Sequence, residues 1–172
     1  MRVPKIYLET TMFNYFFDED RDAHADTVTL FEECRAGVFE AFTSTYATDE
    51  LEAAPPEKRE KMLALLSEYN IVVLAADEEA DALARKYIGE GALPQGSLAD
   101  ASHIAIASLN DLDIIVSLNF SHIVRDKTIT MTGAINTLLG YSPIKIEAPM
   151  GVIDSEKTRY HLGRNSYDSS SD

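Results

Sequence analysis

The sequence predicts a three-layer α/β/α sandwich built on a central, mainly parallel sheet. Short apolar runs recur along the chain, and each is followed by a stretch with helical period. The strand candidates are apolar, as expected where helices cover both faces of a parallel sheet. The 172 residues, 45% of them hydrophobic, are enough for one domain with a full core.

KIYLE (5–9) reads as the first strand, followed by Thr10, Thr11 and an aromatic turn of helix around Phe13, Phe16 and Phe17. DEDRDAHAD (18–26) is a polar connection. Val28, Leu30, Phe31 and Cys34 give a helical stripe over 27–36 that stops at Gly37. VFEAFTS (38–44) is the second strand. Residues 45–53 read as a helix ending before Pro55-Pro56, and Met62, Leu65, Leu66 and Tyr69 form an amphipathic stripe over 57–69. IVVLA (71–75) is the third strand. Asp77 is placed to cap a helix running to Ile88, with Gly89 and Gly91 beyond its end. A helix opening at Ser97, the strand DIIVSL (113–118), a short helix near His122, a helix over 134–138 and the strand IKIEA (144–148) complete the domain. The domain is expected over 1–153, with a polar, disordered tail over 154–172.

Composition narrows the function. The net charge of −14 argues against a broad phosphate-gripping surface, so any nucleic-acid contact has to be local, metal-assisted or shared with a partner. A single cysteine, Cys34, excludes an internal disulfide and any site built from several thiolates. No apolar run approaches the ~18 residues of a membrane span, and MRVPKIYLET lacks the apolar stretch of a secretion signal. A cytoplasmic protein with no membrane partner is therefore expected. Glycine-cradled nucleotide motifs, a GxSxG elbow and HExxH are all absent, and Cys34 sits in a helical stripe suited to packing.

Ligands of open parallel sheets bind beyond the carboxyl ends of the strands, and this sorts the acids. Glu9 ends the first strand, Glu50 lies in the helix after the second, Asp100 lies at the start of its helix, and Asn119 follows the fourth strand. Asp113 stands at the other end of that strand, roughly 15–20 Å away at ~3.3 Å per residue, and reads as a turn residue. Three carboxylates and an amide oxygen on one rim would form a hard, oxygen-only site suited to Mg²⁺ or Mn²⁺. Each position also has a plainer reading. Ser97-x-x-Asp100 matches a capping box, Glu50 lies among three acids of a solvated helix face, and Asn119 is a turn former. Glu9 resists such a reading, because a buried charge closing an apolar strand needs a cation or hydrogen-bond donors. His103 lies on the face of Asp100, as a hydrogen-bonded core histidine or as a donor to a ligand. His122 is better placed to face a substrate. Arg125 and Lys127 are the nearest cations for RNA phosphates; Lys58, Arg59 and Lys61 read as a solvated helix start.

Four segments in this order resemble the motifs of PIN-domain proteins, the family that includes VapC-type toxins of toxin–antitoxin pairs. They are KIYLETT, STYATDELEAAP, LADASHIAIAS and DIIVSLNFSHI, and the likeness covers about residues 4–153. The resemblance implies a PIN-like fold and an Mg²⁺- or Mn²⁺-dependent endoribonuclease. Glu9, Glu50, Asp100 and Asn119 would be catalytic metal ligands, Thr10 and Ser117 supporting hydroxyls, and His122 a further supporting residue. In-line attack of an activated water would leave a 5′-phosphate and a 3′-hydroxyl. An RNA substrate, an antitoxin protein and a homodimer are the partners it implies.

Two positions depart from the family pattern. Glu9 stands where an aspartate is usual, and Asn119 replaces an acid, leaving three carboxylates. That charge balances one divalent cation, and a second would need compensation from the RNA phosphate. A catalytically weakened PIN-fold interaction module is the alternative. A metal-dependent phosphatase lacks the DxD expected after the first strand.

Overall fold

Chain direction alone places the site. In the computed structural model, which describes residues 2–153, five strands run parallel in the order β3-β2-β1-β4-β5. They are β1 (Lys5–Leu8), β2 (Glu40–Ser44), β3 (Val72–Leu74), β4 (Ile114–Val116) and β5 (Lys145–Glu147). The chain starts in the middle of the sheet, builds outward through β2 and β3, and then crosses back to add β4 and β5. The order therefore reverses between β1 and β4, where open α/β sheets form a crevice. Leu8 pairs with Val116 in register, so Glu9 and Ser117 leave the sheet side by side.

Strand alternation divides the core. Ile6 and Leu8 face one layer, with Met12, Phe13, Leu30, Phe31, Met62 and Leu65 from α1 (Thr10–Phe16), α2 (His24–Arg35) and α4 (Pro56–Glu68). Tyr7 and Ile115 face the other layer. There they meet Leu83, Tyr87, Ile104 and Ile135 of α5 (Glu78–Gly89), α6 (Leu98–Leu109) and α7 (Asp126–Leu139). The remaining helix, α3 (Thr45–Glu52), begins directly at the carboxyl end of β2. Helix α6 is buried on nearly every side, consistent with its almost wholly small and apolar sequence.

Most elements lie where the sequence puts them, with strands trimmed by one to three residues. Asp77 caps α5 by accepting the Ala80 N–H at 2.8 Å, and Gly37 follows α2 with φ +81°. Cys34 is buried, and burial pushes its thiol up to about 12, which fits the packing role.

Four expectations need correction. Helix α2 begins at His24, inside the segment read as a connection, because Ala23 at its N-cap offers no side-chain signal. No helix forms near His122: residues 120–125 are turns, closed by Ile123 and Val124 N–H bonds to the Asn119 carbonyl at 3.1 and 2.9 Å. Helix α7 is far longer than 134–138. Its inward stripe includes Thr128, Thr132 and Asn136, polar residues that hide the apolar period. The fourth correction, the capping box, belongs to the site below. The tail expected over 154–172 lies outside the described residues. Among the described residues, no helix is long and apolar enough to cross a membrane.

Candidate functional site

Glu9 closes β1 with only 3% of its surface exposed, a position that costs free energy unless donors replace water. Thr11 and Ser117 supply them. Thr11 Oγ1 and Ser117 Oγ each donate to Glu9 Oε1 at 2.6 Å, and the Thr11 N–H donates to Oε2 at 3.2 Å. The direction of the two hydroxyl protons is set by the backbone. Leu118 N–H donates to Thr11 Oγ1 at 2.9 Å and Asn119 N–H to Ser117 Oγ at 3.0 Å, leaving each hydroxyl proton for the carboxylate. Glu9 is also the N-cap of α1.

Asp100 lies in the first turn of α6, where the helix dipole favours negative charge. The capping box is not formed, since Ser97, the N-cap, makes no side-chain cap bond. The Asp100 carboxylate turns instead to residues beyond β4. Asn119 Nδ2 donates to its Oδ1 at 3.2 Å, and His122 Nδ1 lies 2.9 Å from its Oδ2. The His122 N–H donates to Asn119 Oδ1 at 3.0 Å, fixing the amide so that its nitrogen faces the acid. Glu50 projects from α3 with 42% of its side chain exposed, and its Oε1 accepts from His103 Nε2 at 2.8 Å.

His103 ties the acids together. It is fully buried on α6, with Tyr7 OH 2.6 Å from Nδ1 and Thr10 Oγ1 3.4 Å from Nε2. Burial, the strongest single influence on its pKa, favours the neutral ring. The Glu50 hydrogen bond and the charges of Glu9, Glu50 and Asp100 outweigh it, and the pKa is raised above its ordinary value. Three carboxylates from three elements thus act on one imidazole. Among the described residues, no lysine or arginine pairs with any of the three.

The supporting residues divide. Ser117 touches Glu9 as expected, whereas Thr10 faces His103, and Thr11 is the hydroxyl on Glu9. Arg125 donates to Thr128 Oγ1 at 2.8 Å and to the Ala92 carbonyl at 3.3 Å, while Lys127 is exposed. Thr11, Tyr7 and Ser44 went unnoticed in the sequence. The second threonine of KIYLETT was the one available signal, because a hydroxyl two residues after a helix-capping acid can reach back to it.

The donor set fits a hard divalent cation in chemistry. All the first-choice atoms are oxygens, and an ionised carboxylate has about four lone-pair sites, of which Glu9 here uses three. The spacing is that of a hydrogen-bonded network. Among the described residues, no group of three or more His, Cys, Asp or Glu is gathered closely enough to hold an ion.

The sequence matches no protein-family model and no curated protein. Solved structures do match. A chain of VapBC2 from Rickettsia felis, crystallised with a DNA fragment from its promoter, is similar with a TM-score of 0.53 and 12% identity over 84% of this chain and 98% of that one. A DNA-bound VapBC chain from Salmonella typhimurium gives 0.47 and 15% identity over 85% of this chain and 98% of that one. At this identity the Rickettsia likeness is one of fold: with its parallel sheet and flanking helices, the chain has the PIN-like architecture that its four motifs resemble.

Proposed function

We propose that the protein is a metal-dependent endoribonuclease that hydrolyses RNA phosphodiesters, and that it is the toxin of a toxin–antitoxin pair. One observation carries this reading. Glu9, Asp100 and Glu50 stand along the carboxyl rim at the β1/β4 switch point, linked by hydrogen bonds to neutral donors and histidines, with no paired lysine or arginine among the described residues. Charge left uncompensated at that place suits a cation from solution.

Glu9, Glu50 and Asp100 would hold Mg²⁺ or Mn²⁺, with Asn119 in fourth place through the lone pair its oxygen keeps beside the His122 N–H bond. Such an ion supplies Lewis-acid polarisation of a phosphoryl oxygen and water activation near neutral pH. The chain's own residues do the rest. Ser117 and Thr11 fix the Glu9 carboxylate, and Asn119 and His122 fix that of Asp100. His122, with 41% of its side chain exposed, borders the space a phosphate would enter. Lys127 and Arg125 would meet flanking phosphates on the same side. Nothing here needs a serine or cysteine nucleophile. The fold shared with a VapBC2 chain supports an antitoxin protein as partner, and a homodimer and a cytoplasmic setting belong to the same reading.

A second reading, a catalytically weakened PIN-fold interaction module, draws on the hydrogen bonds that already engage each acid and on the absence of a gathered ligand group among the described residues. Calorimetric titration of the purified protein with Mn²⁺ separates the two. Saturable binding, with RNA cleavage lost in Glu9→Gln and Asp100→Asn, supports the nuclease. No binding at millimolar Mn²⁺, or undiminished cleavage by both variants, sinks it.

A further inference from the structure

Glu50 differs from the other two acids in how it is held. Glu9 and Asp100 are fixed by neighbours close to the strand ends, whereas Glu50 stands half-exposed on a helix face with His103 as its one hydrogen-bond partner among the described residues. Behind that partner runs a chain of buried polar groups. His103 Nδ1 meets the Tyr7 hydroxyl at 2.6 Å, which in turn meets Ser44 Oγ at 2.6 Å. Tyr7, Ser44 and His103 are each fully buried, and they come from β1, β2 and α6. The chain therefore crosses three elements inside the core and opens to solvent only at Glu50 on α3.

Such an arrangement is costly to build for packing alone. Phenylalanine at position 7 and alanine at 44 would fill similar space without desolvating two hydroxyls. The direction of the protons shows what the polar version adds. A carboxylate only accepts, so Nε2 carries the proton shared with Glu50, which leaves Nδ1 to meet the Tyr7 hydroxyl. The ring cannot swing freely. The Tyr7 ring lies 5.7 Å away, tilted by 59°, and that of Tyr46 6.3 Å away, nearly edge-on.

We propose that Tyr7 and Ser44 are positioning residues that act through His103 to hold the Glu50 carboxylate at the rim for a divalent cation. This rests on the reading of the rim as a cation site. Partners of this kind behind a metal-binding side chain typically change affinity by about 10–100-fold when removed.

The test is titration of the metal-free, full-length protein with Mn²⁺ alone, well below its melting temperature. Tyr7→Phe keeps the ring and removes the hydroxyl, and is expected to weaken Mn²⁺ binding by about tenfold. Ser44→Ala, one step further back, is expected to weaken it by less. His103→Gln, which keeps a donor near the Nε2 position, is expected to retain more affinity than His103→Leu. The ¹⁵N spectrum of the His103 imidazole reads the positioning without metal. Its Nε2 proton should exchange slowly in the parent and broaden in Tyr7→Phe, a change that lost core packing elsewhere would not produce. Unchanged Mn²⁺ affinity in Tyr7→Phe and Ser44→Ala overturns the positioning role and leaves the cation site standing. A parent protein that binds no Mn²⁺ overturns both. If Tyr7→Phe does not fold, Ser44→Ala decides alone: weaker binding supports the relay and unaltered binding overturns it.

Discussion

Strands β1 and β4 lie side by side, and an acid sits at each end of the pair. At the amino end, Asp113 accepts from Arg2 Nη1 and Nη2 at 3.0 and 2.7 Å and from the Lys5 N–H at 2.7 Å. At the carboxyl end, Glu9 is almost fully buried and, among the described residues, accepts only from Thr11 and Ser117. The surroundings are reversed from what solvation alone would give. The more exposed acid has a guanidinium, and the buried one has neutral donors. A pair such as Arg2–Asp113 closes on itself and ties the N-terminal segment to the sheet. The carboxylate held by hydroxyls has two further acids, Asp100 and Glu50, as neighbours around His103. The comparison separates an acid with a cationic partner from one held by neutral donors, the kind that the proposed cation site requires.

The largest expected effect lies in the chemistry. Asp100→Asn or Glu9→Gln should lower Mn²⁺-dependent cleavage of a structured RNA by at least about 100-fold, the scale of losing one electrostatic group from a reaction centre. Asp113→Asn, at the opposite end, should leave the rate within about twofold of the parent. Equal losses at both ends would show that the rim is not special and that stability alone is being measured.

Ser117→Ala sharpens the contrast on stability. It removes one donor from Glu9 Oε1 and the acceptor of the Asn119 N–H, both in a buried setting. Unfolding in urea should show a loss of about 1–3 kcal/mol, the cost of leaving buried polar groups unpaired. Saturating Mn²⁺ stabilises parent and variant alike by mass action, so the loss should persist at equal affinities and widen where the variant binds the ion more weakly. Asp113→Asn keeps an oxygen for the Lys5 N–H and loses only an exposed ion pair, so its effect should stay within about 1 kcal/mol.

The sheet and its rim were legible in the sequence because strand runs and strand-end acids are local signals. KIYLE and DIIVSL needed no partner to be recognised, and the rule of carboxyl ends then singled out Glu9 and Asn119 from many polar residues. Apart from the start of α2, where Ala23 offers no side-chain cap, the failures trace to polar residues with distant partners. Thr128, Thr132 and Asn136 turn the inward face of α7 polar, and the bonds of Thr128 and Asn136 reach Ala92, His122, Tyr87 and Ser108, none of them nearby in sequence except His122. The same holds for Tyr7, which reads as an ordinary strand aromatic until α6 brings His103 against it. Ser97 and Asp100 matched a capping pattern, but Asn119 and His122, some twenty residues on, offered the acid better partners. Spacing shows what a residue can do locally, and competition from distant groups decides whether it does.

The smallest expected effect follows from the pH behaviour of the amino-end pair. Asp113 is held below the usual carboxylate range, first by its hydrogen bond to Arg2, against the opposing influence of burial, and then by the Lys5 N–H. A carboxylate whose folded pKa is depressed adds stability above its unfolded value, about 3.9, and loses it as pH falls through the folded value. Arg2→Gln should therefore lower the melting temperature slightly at pH 7, with the gap closing as the pH drops below about 4. Because the pair is mostly exposed, 1 M salt should shrink the gap at pH 7 as well, since the Debye length falls to about 3 Å. Ser117→Ala should show little of this salt dependence, because Ser117 and Glu9 are buried and its other partner is a neutral amide. Similar salt sensitivity at both ends would erase the distinction between an acid that is paired and an acid that is kept available.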